Sequence, residues 1–168
     1  MNWQYDKNHS TIGFRTRHLG ISTVRGYFTD ADVKLNLEGD DPTKWSMNAT
    51  IQAASIDTGI ERRDDHLRSE SYLDVAEFPT ITFETRRVEP RGEGFALIGS
   101  FTMHGVTKEL ELAATFNGEA VDREVHKRGF SAQGTVDRFA FGVGDPTGSW
   151  SVAPEIHFEL EMEAALRD

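Results

Sequence analysis

The chain of 168 residues has no cysteine, no long apolar run and few basic residues. The absence of cysteine excludes a disulfide, a thiol nucleophile, a thiolate zinc site and an iron–sulfur cluster. No stretch reaches the roughly 18 apolar residues of a membrane-spanning helix, so we expect no stable membrane insertion. Eighteen lysines and arginines against 28 acidic residues give a formal net charge of −10. Phosphate backbones and anionic bilayers attract clustered basic residues, so this charge argues against both as partners.

The common catalytic and cofactor-binding motifs are also missing. Neither G-x-S-x-G, G-x-G-x-x-G nor a Walker A motif occurs. The six histidines stand nine or more positions apart, so no single segment offers a metal two histidine ligands. A metal site assembled only in three dimensions stays open as an alternative. We therefore expect a protein that is not an enzyme, with no catalytic residue, no cofactor and no metal.

The length favours a single domain spanning residues 1–168. The N-terminal segment, residues 1–7, lacks both the basic region and the apolar run of a signal peptide. We therefore expect a cytoplasmic location, or a periplasmic one if a leader has been removed.

Apolar residues recur at every second position in eight segments, a pattern typical of half-buried strands. Short breaks rich in glycine and proline separate them, as expected of antiparallel hairpins. The pattern predicts an all-β fold, an antiparallel barrel or sandwich. Eight strands close into a barrel wide enough for side chains or one small ligand, and closure removes exposed edges. The eight series begin at Ile12, Ala31, Met47, Ile81, Phe95, Val106, Phe130 and Ile156.

One segment, residues 58–78, interrupts the strands. Thr58 and Glu61 have the spacing of a capping box, and Glu61 to Ser69 is predicted to be a short helix with an Asp64–Arg68 ion pair. Three roles are open for its charged residues: a solvated helix face, a clamp onto the barrel, or acid–base chemistry at Asp65 and His66.

The order of several motifs resembles the YceI-like family over nearly the whole chain. The motifs are residues 6–14 (DKNHSTIGF), 17–20 (RHLG), 24–28 (VRGYF), 56–59 (IDTG), 63–69 (RDDHLRS), 78–83 (FPTITF), 101–108 (FTMHGVTK) and 137–142 (DRFAFG). The resemblance implies a lipocalin-like eight-stranded antiparallel barrel. It also implies non-enzymatic binding, transport or storage of a long apolar lipid, such as a polyisoprenoid or an isoprenoid quinone. Two alternatives are sequestration of a fatty-acid amide or other lipophilic compound and catalysis on a bound lipid. The family resemblance also suggests a homodimer.

Strand alternation predicts which side chains face the interior and contact such a lipid. They are Phe14, Met47, Ile51, Phe83, Leu97, Phe101, Leu110, Leu112, Phe130, Phe158 and Met162. His18 shares the face of Phe14 and is the candidate for a headgroup contact. Inward small residues are expected to leave room for the lipid chain. They are to be found among Gly13, Ala49, Ala53, Gly99, Ala114, Ala132 and Gly134, and of these Gly99 is also predicted to contact the lipid.

Overall fold

Eleven β-strands and one α-helix form the regular structure of the chain. The computed structural model describes residues 1–168, and every strand pairing in it is antiparallel. The elements are β1 (Asn2–Tyr5), β2 (Thr11–His18), β3 (Ser22–Phe28), β4 (Ala31–Asn36), β5 (Ser46–Gln52), β6 (Ile56–Asp57), α1 (Glu61–Arg68), β7 (Thr80–Arg91), β8 (Gly94–Met103), β9 (Val106–Asp122), β10 (Val125–Asp137) and β11 (Glu155–Arg167).

Eight strands close into a ring in the order β1-β4-β5-β7-β8-β9-β10-β11, because β1 pairs with both β4 and β11. The predicted eight-stranded antiparallel barrel is therefore confirmed. Seven of the eight predicted strands belong to the ring. The eighth ring strand is β1, which the alternation pattern did not reveal because it has only four residues.

The predicted strand that begins near Ile12 is β2, and it lies beside the ring strand β11 rather than within the ring. β1 and β2 follow each other along one edge of β11, since Tyr5 pairs with Ala164 and Thr11 pairs with Glu161. β3 and then β6 extend the sheet outward from β2. One half of the barrel is therefore a closed ring, and the other half carries a three-stranded extension.

Strand β3 escaped prediction because Gly26 interrupts its apolar alternation. A Cβ atom at Gly26 would lie 2.4 Å from Cζ of Phe14, so the Phe14 ring covers this position. Glycine permits that close approach of side chain to backbone. Phe14 thus supplies the apolar surface that β3 lacks.

Residues 58–79 fold across the barrel between β6 and β7 and contain α1. Leu73 is buried, and Leu67, Tyr72 and Val75 pack against the main core. The segment is therefore held by its apolar side chains, of which only Leu67 belongs to the helix itself. With eight residues, α1 is too short to cross a bilayer, and it is the only α-helix.

The predicted helix is confirmed, but its cap and its ion pair are wrong. The residue before the first turn is Ile60, not Thr58, and it has no side-chain cap. Thr58 instead donates from its backbone N–H to Oδ1 of Asp64 at 2.9 Å, and its hydroxyl donates to the same atom. Asp64 turns inward to these donors because a buried carboxylate needs partners, so it does not reach Arg68.

Arg68 clamps the helix onto the barrel. Its guanidinium donates to the carbonyl oxygens of Ala54 at 2.7 Å and Ile56 at 3.0 Å, and to Oδ1 of Asp65 at 3.0 Å. Of the three roles left open for this segment, the contacts of Arg68 match the clamp.

The far end of the barrel is defined by the rings of Trp45, Phe116 and Phe130. The Trp45 ring meets the Phe116 and Phe130 rings edge-on at 5.4 and 5.7 Å between centroids. The buried Arg128 guanidinium lies 4.8 Å from the Trp45 ring centroid and donates to the carbonyl of Leu37 at 2.7 Å. These contacts pack the end of the barrel opposite the extension.

Candidate functional site

A cavity of about 520 Å³ lies between the β2–β3 hairpin, α1 and the loop that follows β10. Its volume is within the range of about 300–1,000 Å³ that is usual for small-molecule sites. We call it the main cavity. Its exposed lining residues, Ser22, His66 and Ser151, mark its mouth. Apolar side chains that line it deeper down include Phe14, Phe28, Leu67, Leu73, Met103, Ile156 and Phe158.

The lining of the main cavity contains basic groups and no acidic one. Two arginines and two histidines are among its twenty lining residues, although the chain has 28 aspartates and glutamates. The four are His18, Arg63, His66 and Arg138. A cavity with this lining favours an anion or a hydrogen-bond acceptor over a cation.

Arg138 is buried, with 3% of its surface exposed, and its guanidinium bonds to backbone carbonyls rather than to a carboxylate. It donates to the carbonyl oxygens of Val143, Val152 and Ala153 at 2.9, 2.8 and 3.1 Å. Removal from water disfavours its charged form, so burial lowers the pKa of Arg138 from its ordinary value. Arg138 therefore holds the loop after β10 in place and adds positive charge to the cavity wall.

Arg63 projects from α1 and is only partly satisfied. Its Nε donates to Oγ1 of Thr58 and its Nη2 to the Thr58 carbonyl, both at 2.7 Å. Nη1 has no partner within the protein, and no carboxylate pairs with this arginine. A ligand acceptor can therefore bind Nη1 without breaking an existing contact.

The Asp65–His66 pair, the candidate for acid–base chemistry, does not form a dyad. Asp65 is exposed and bound to Arg68, whereas the His66 ring packs edge-on against Tyr72 at 5.0 Å between centroids. No hydrogen bond joins the Asp65 carboxylate to His66. His66 therefore contributes to the mouth, and Asp65 contributes to the clamp.

Two smaller cavities, of about 50 and 80 Å³, continue the apolar interior toward the far end. Phe28 and Phe158 line both the main cavity and the middle one. Met47, Leu160 and Met162 line both the middle cavity and the far one. The three cavities thus form one series, separated by side chains. The methionines among them are flexible enough to rearrange around a ligand.

Twelve of the thirteen residues predicted to contact a ligand line this series. Phe14, His18 and Phe158 line the main cavity. The middle and far cavities take in the others: Met47, Ile51, Phe83, Leu97, Phe101, Leu110, Leu112, Phe130 and Met162. The thirteenth, Gly99, lines none of them. A Cβ atom there would lie 2.6 Å from Cζ of Phe83 and closer still to the Glu84 carbonyl oxygen.

The small residues divide into two groups. The interior space beside Gly99 and Gly134 is filled by Phe83 and Leu112, so these glycines do not leave room for a ligand. Gly13 is covered by its cross-strand neighbour Tyr27, and Ala53 is buried without lining a cavity. The small residues that do line cavities are Ala49, Ala114 and Ala132.

Apart from His18 and His66, sequence reasoning did not single out the polar residues of the main cavity as candidate functional residues. Arg63 and Tyr72 belong to the helical segment, and Arg138 directly follows β10. Outside the strands, alternation does not predict which side chains face the interior. The motifs at residues 63–69 and 137–142 were the available signal, but neither assigned Arg63 or Arg138 to a ligand site.

One cluster outside the cavities has side chains of metal-binding type. Asp6, His9 and Glu163 place their ligand atoms within 4.8 Å of one another. The ammonium of Lys127 donates to Oε1 of Glu163 at 2.5 Å and lies 3.5 Å from Oδ2 of Asp6. An internal cation therefore already satisfies these carboxylates.

Comparison of this chain with known proteins identifies its family. Residues 3–164 match the family model described as the YceI-like domain. The chain belongs to the YceI-like family. This YceI-like chain is 36% identical over 163 residues to a UPF0312 protein of Serratia proteamaculans, covering 95% of this chain and 85% of the relative.

Solved structures of YceI-like and related proteins share the fold. The crystal structure of the Campylobacter jejuni YCEI protein superposes with a TM-score of 0.79 at 29% identity, over 90% of each chain. A polyisoprenoid binding domain from Saccharophagus degradans superposes with a TM-score of 0.66 over 99% of each chain. At 10% identity, this second likeness shows the fold alone.

Proposed function

We propose that this YceI-like protein binds a long-chain amphiphilic lipid inside its barrel, a polyisoprenoid or an isoprenoid quinone, and stores or transports it unchanged. The observation that carries the proposal is the main cavity, with polar groups at its mouth and apolar side chains leading inward. The lipid headgroup would lie near Arg63 and Arg138. The chain would pass Phe28 and Phe158 toward the methionines of the middle cavity.

Burial of the lipid chain supplies the affinity. Each buried methylene contributes about 0.8 kcal/mol, so a few five-carbon isoprene units supply on the order of 10 kcal/mol before the cost of ordering. This contribution is non-directional. We therefore expect the protein to select ligands by the length and girth of the chain more than by its chemical identity.

The arginines of the main cavity favour a headgroup that accepts hydrogen bonds. The free Nη1 of Arg63 and the positive charge of Arg138 suit a quinone carbonyl, a phenol oxygen or a phosphate. No carboxylate in the lining opposes such a group. His18 lies close to the mouth and has no hydrogen-bond partner for its side chain, so it remains our candidate for a further headgroup contact.

The polyisoprenoid binding domain of Saccharophagus degradans supports the proposal, because a domain of the same fold is described as binding a ligand of the proposed class. The barrel shared with this chain has the same capacity to surround an apolar chain on all sides.

A shorter amphiphile, such as a fatty-acid amide, is the second candidate, and one observation favours it. The main cavity holds most of the free volume, and Phe28 and Phe158 separate it from the two small cavities beyond. A ligand of modest length fits the main cavity without moving either ring. A long polyisoprenoid requires both rings to turn aside.

Organic extraction of the purified protein followed by mass spectrometry tests the proposal most directly. We expect an amphiphile with a long apolar chain to co-purify, and labelled polyprenyl lipids to bind to the emptied protein. The proposal fails if no amphiphile is extracted and no labelled lipid binds.

A matched pair of variants then separates the two candidates. Ala132→Phe fills the far cavity, whereas Gln133→Phe adds the same ring at the adjacent, exposed position. For a polyisoprenoid, Ala132→Phe should weaken binding of long chains and spare short ones, and Gln133→Phe should change neither. Equal binding of all chain lengths by both variants would favour the shorter amphiphile.

A further inference from the structure

Two loops bring three exposed apolar side chains together beside the mouth of the main cavity. Leu19 and Ile21 form the tip of the β2–β3 hairpin and are 61% and 78% exposed, and Trp150 is 45% exposed. We call these three residues the mouth patch. Single exposed apolar residues need no explanation, but three of them on adjoining loops beside a cavity opening indicate an interaction surface.

The backbone holds the two parts of the patch together. The N–H of Leu19 donates to the carbonyl oxygen of Ser151 at 2.7 Å, next to Trp150. The N–H of Ala153 donates to the Arg17 carbonyl at 2.9 Å, and His18 forms a bridge with Val152. The proximity of the patch residues is therefore built into the fold.

The hairpin tip is held in a conformation that keeps both aliphatic side chains exposed. Leu19 has a φ of +53°, a left-handed conformation that is unfavourable for a leucine. The Arg17 guanidinium donates to Oγ1 of Thr23 at 2.9 Å and to the Gly20 carbonyl at 3.1 Å, across the turn. A bulky residue kept in a strained turn, exposed to water, is typical of a site with a function.

The patch adjoins the cavity on both sides. His18 and Ser22 flank the hairpin tip, Ser151 and Val152 follow Trp150, and all four line the main cavity. A surface in contact with the patch would therefore face the opening through which a ligand enters.

The hairpin is basic in a chain that is otherwise acidic. Residues 11–28, which form the hairpin, contain three arginines and no acidic residue. Arg17 and Arg25 are exposed on the outer face of the hairpin, whereas Arg15 pairs with Glu159. The net charge of −10 makes the chain as a whole unsuited to bind an anionic membrane, but the charge of this hairpin has the opposite sign.

We propose that the mouth patch docks reversibly on a lipid bilayer surface. Leu19 and Ile21 enter the interfacial region of the bilayer, Trp150 lies at the level of the headgroups, and Arg17 and Arg25 contact lipid phosphates. Aliphatic side chains with a tryptophan and flanking arginines match the chemistry of that region. A bilayer, rather than a second protein, is the occupant favoured by the continuity of the patch with a cavity of apolar lining. The acidic remainder of the protein keeps the contact reversible.

Vesicle binding by the ligand-free protein tests the proposal. The double variant Leu19→Asn/Ile21→Ser removes both aliphatic side chains, and asparagine tolerates the left-handed conformation at position 19. Val121→Ser is the matched control, because Val121 is also 61% exposed but lies in the β9–β10 hairpin. Flotation with vesicles of phosphatidylcholine and phosphatidylglycerol in equal parts should show wild-type binding. The double variant should bind at least about tenfold more weakly, and Val121→Ser should bind as the wild type does.

Two further measurements identify the contact. Brominated lipids should quench the fluorescence of Trp150, and this quenching should be lost in Trp150→Phe. Arg25→Gln should weaken binding to vesicles that contain phosphatidylglycerol and leave binding to pure phosphatidylcholine unchanged. Circular dichroism confirms that each variant is folded.

Absence of vesicle binding by the wild-type protein would overturn the proposal, as would equal binding by the double variant. If the wild type is a dimer that Leu19→Asn/Ile21→Ser converts to a monomer, the patch is a protein interface and the proposal is wrong. No cavity ligand is present in these experiments, so their result is independent of the proposed lipid binding inside the barrel.

Discussion

Substitution of Gly26 by alanine probes the packing between β3 and the main cavity. The added Cβ atom would lie 2.4 Å from Cζ and 2.7 Å from Cε1 of Phe14, distances at which one of the groups must move. The Phe14 ring is also packed against Phe28, with 5.6 Å between centroids. The main cavity offers the ring a space to move into, since Phe14 is one of its lining residues.

The space available to the Phe14 ring determines how much Gly26→Ala destabilises the protein. Overpacking of a core generally costs about 1–3 kcal/mol, and a ring beside a cavity relaxes more easily than one enclosed on all sides. We expect Gly26→Ala to lower the free energy of unfolding by about 1–2 kcal/mol. For a protein of this size, this corresponds to a melting temperature lower by roughly 2–8 °C. The displaced ring should also reduce the main cavity and weaken binding of any ligand there.

Urea denaturation followed by tryptophan fluorescence measures the change, and a double-mutant cycle assigns it. Phe14→Leu removes the ring and alone destabilises the protein, because it leaves space in the core. In Gly26→Ala/Phe14→Leu the clash is absent, so the loss should be smaller than the sum of the two single losses by at least about 0.5 kcal/mol. Additive losses, or a Gly26→Ala variant as stable as the wild type, would refute the argument from close approach.

Three other predictions concern the clamp, the mouth and the Asp6 cluster. Arg68→Met removes three hydrogen bonds and should cost about 1–3 kcal/mol, with faster proteolytic cleavage of residues 58–79; unchanged cleavage would show that the clamp contributes nothing. Arg63→Met should weaken binding of a lipid with an acceptor headgroup several-fold and leave binding of the bare hydrocarbon unchanged, as measured by displacement of a fluorescent lipid; equal effects on both would argue against a headgroup contact. The hydrogen bond from His9 is the main cause that lowers the pKa of Asp6 in the folded protein below its ordinary value near 3.8. The charged Asp6 carboxylate therefore stabilises the fold at pH values above 3.8, and this stabilisation is lost as the pH falls through the pKa of the folded state. Asp6→Asn keeps an acceptor for the backbone N–H of Asn8 but removes the charge. In urea titrations its free energy of unfolding should be lower than that of the wild type at pH 6, and the two should become similar near pH 2. A difference that does not change with pH would contradict this.

The barrel could be predicted because apolar residues alternate with polar ones along most of its strands. In β4 and β5 the buried side chains of Val33, Met47 and Ala49 occupy every second position, so the interior face is directly visible in the sequence. Twelve predicted residues line the cavities for the same reason. Three strands were not predicted: β1 and β6 are too short to show alternation, and a glycine interrupts it in β3.

The polar part of the site depends on contacts that alternation does not encode. Asp64 was expected to pair with Arg68 from helix spacing, but burial turned it toward Thr58. The Arg138 guanidinium is oriented by hydrogen bonds to three carbonyl oxygens, which belong to residues 5 to 15 positions further along the chain. Local spacing predicts neither arrangement, because each is decided by which donors and acceptors the folded chain encloses together.

Closure of the barrel through β1 has a consequence for amide hydrogen exchange. β1 has four residues, and one residue pair, Gln4 with Lys34, joins it to β4. Eleven residue pairs join β10 to β11, two pairings further round the ring. Local opening costs least where the fewest contacts are broken, so the amides of β1 and β4 should exchange well before those of β10. Separation along this line would expose the interior beside Tyr5 and Val33, which line the middle cavity, and so admit deuterium to the barrel from the side rather than from its mouth.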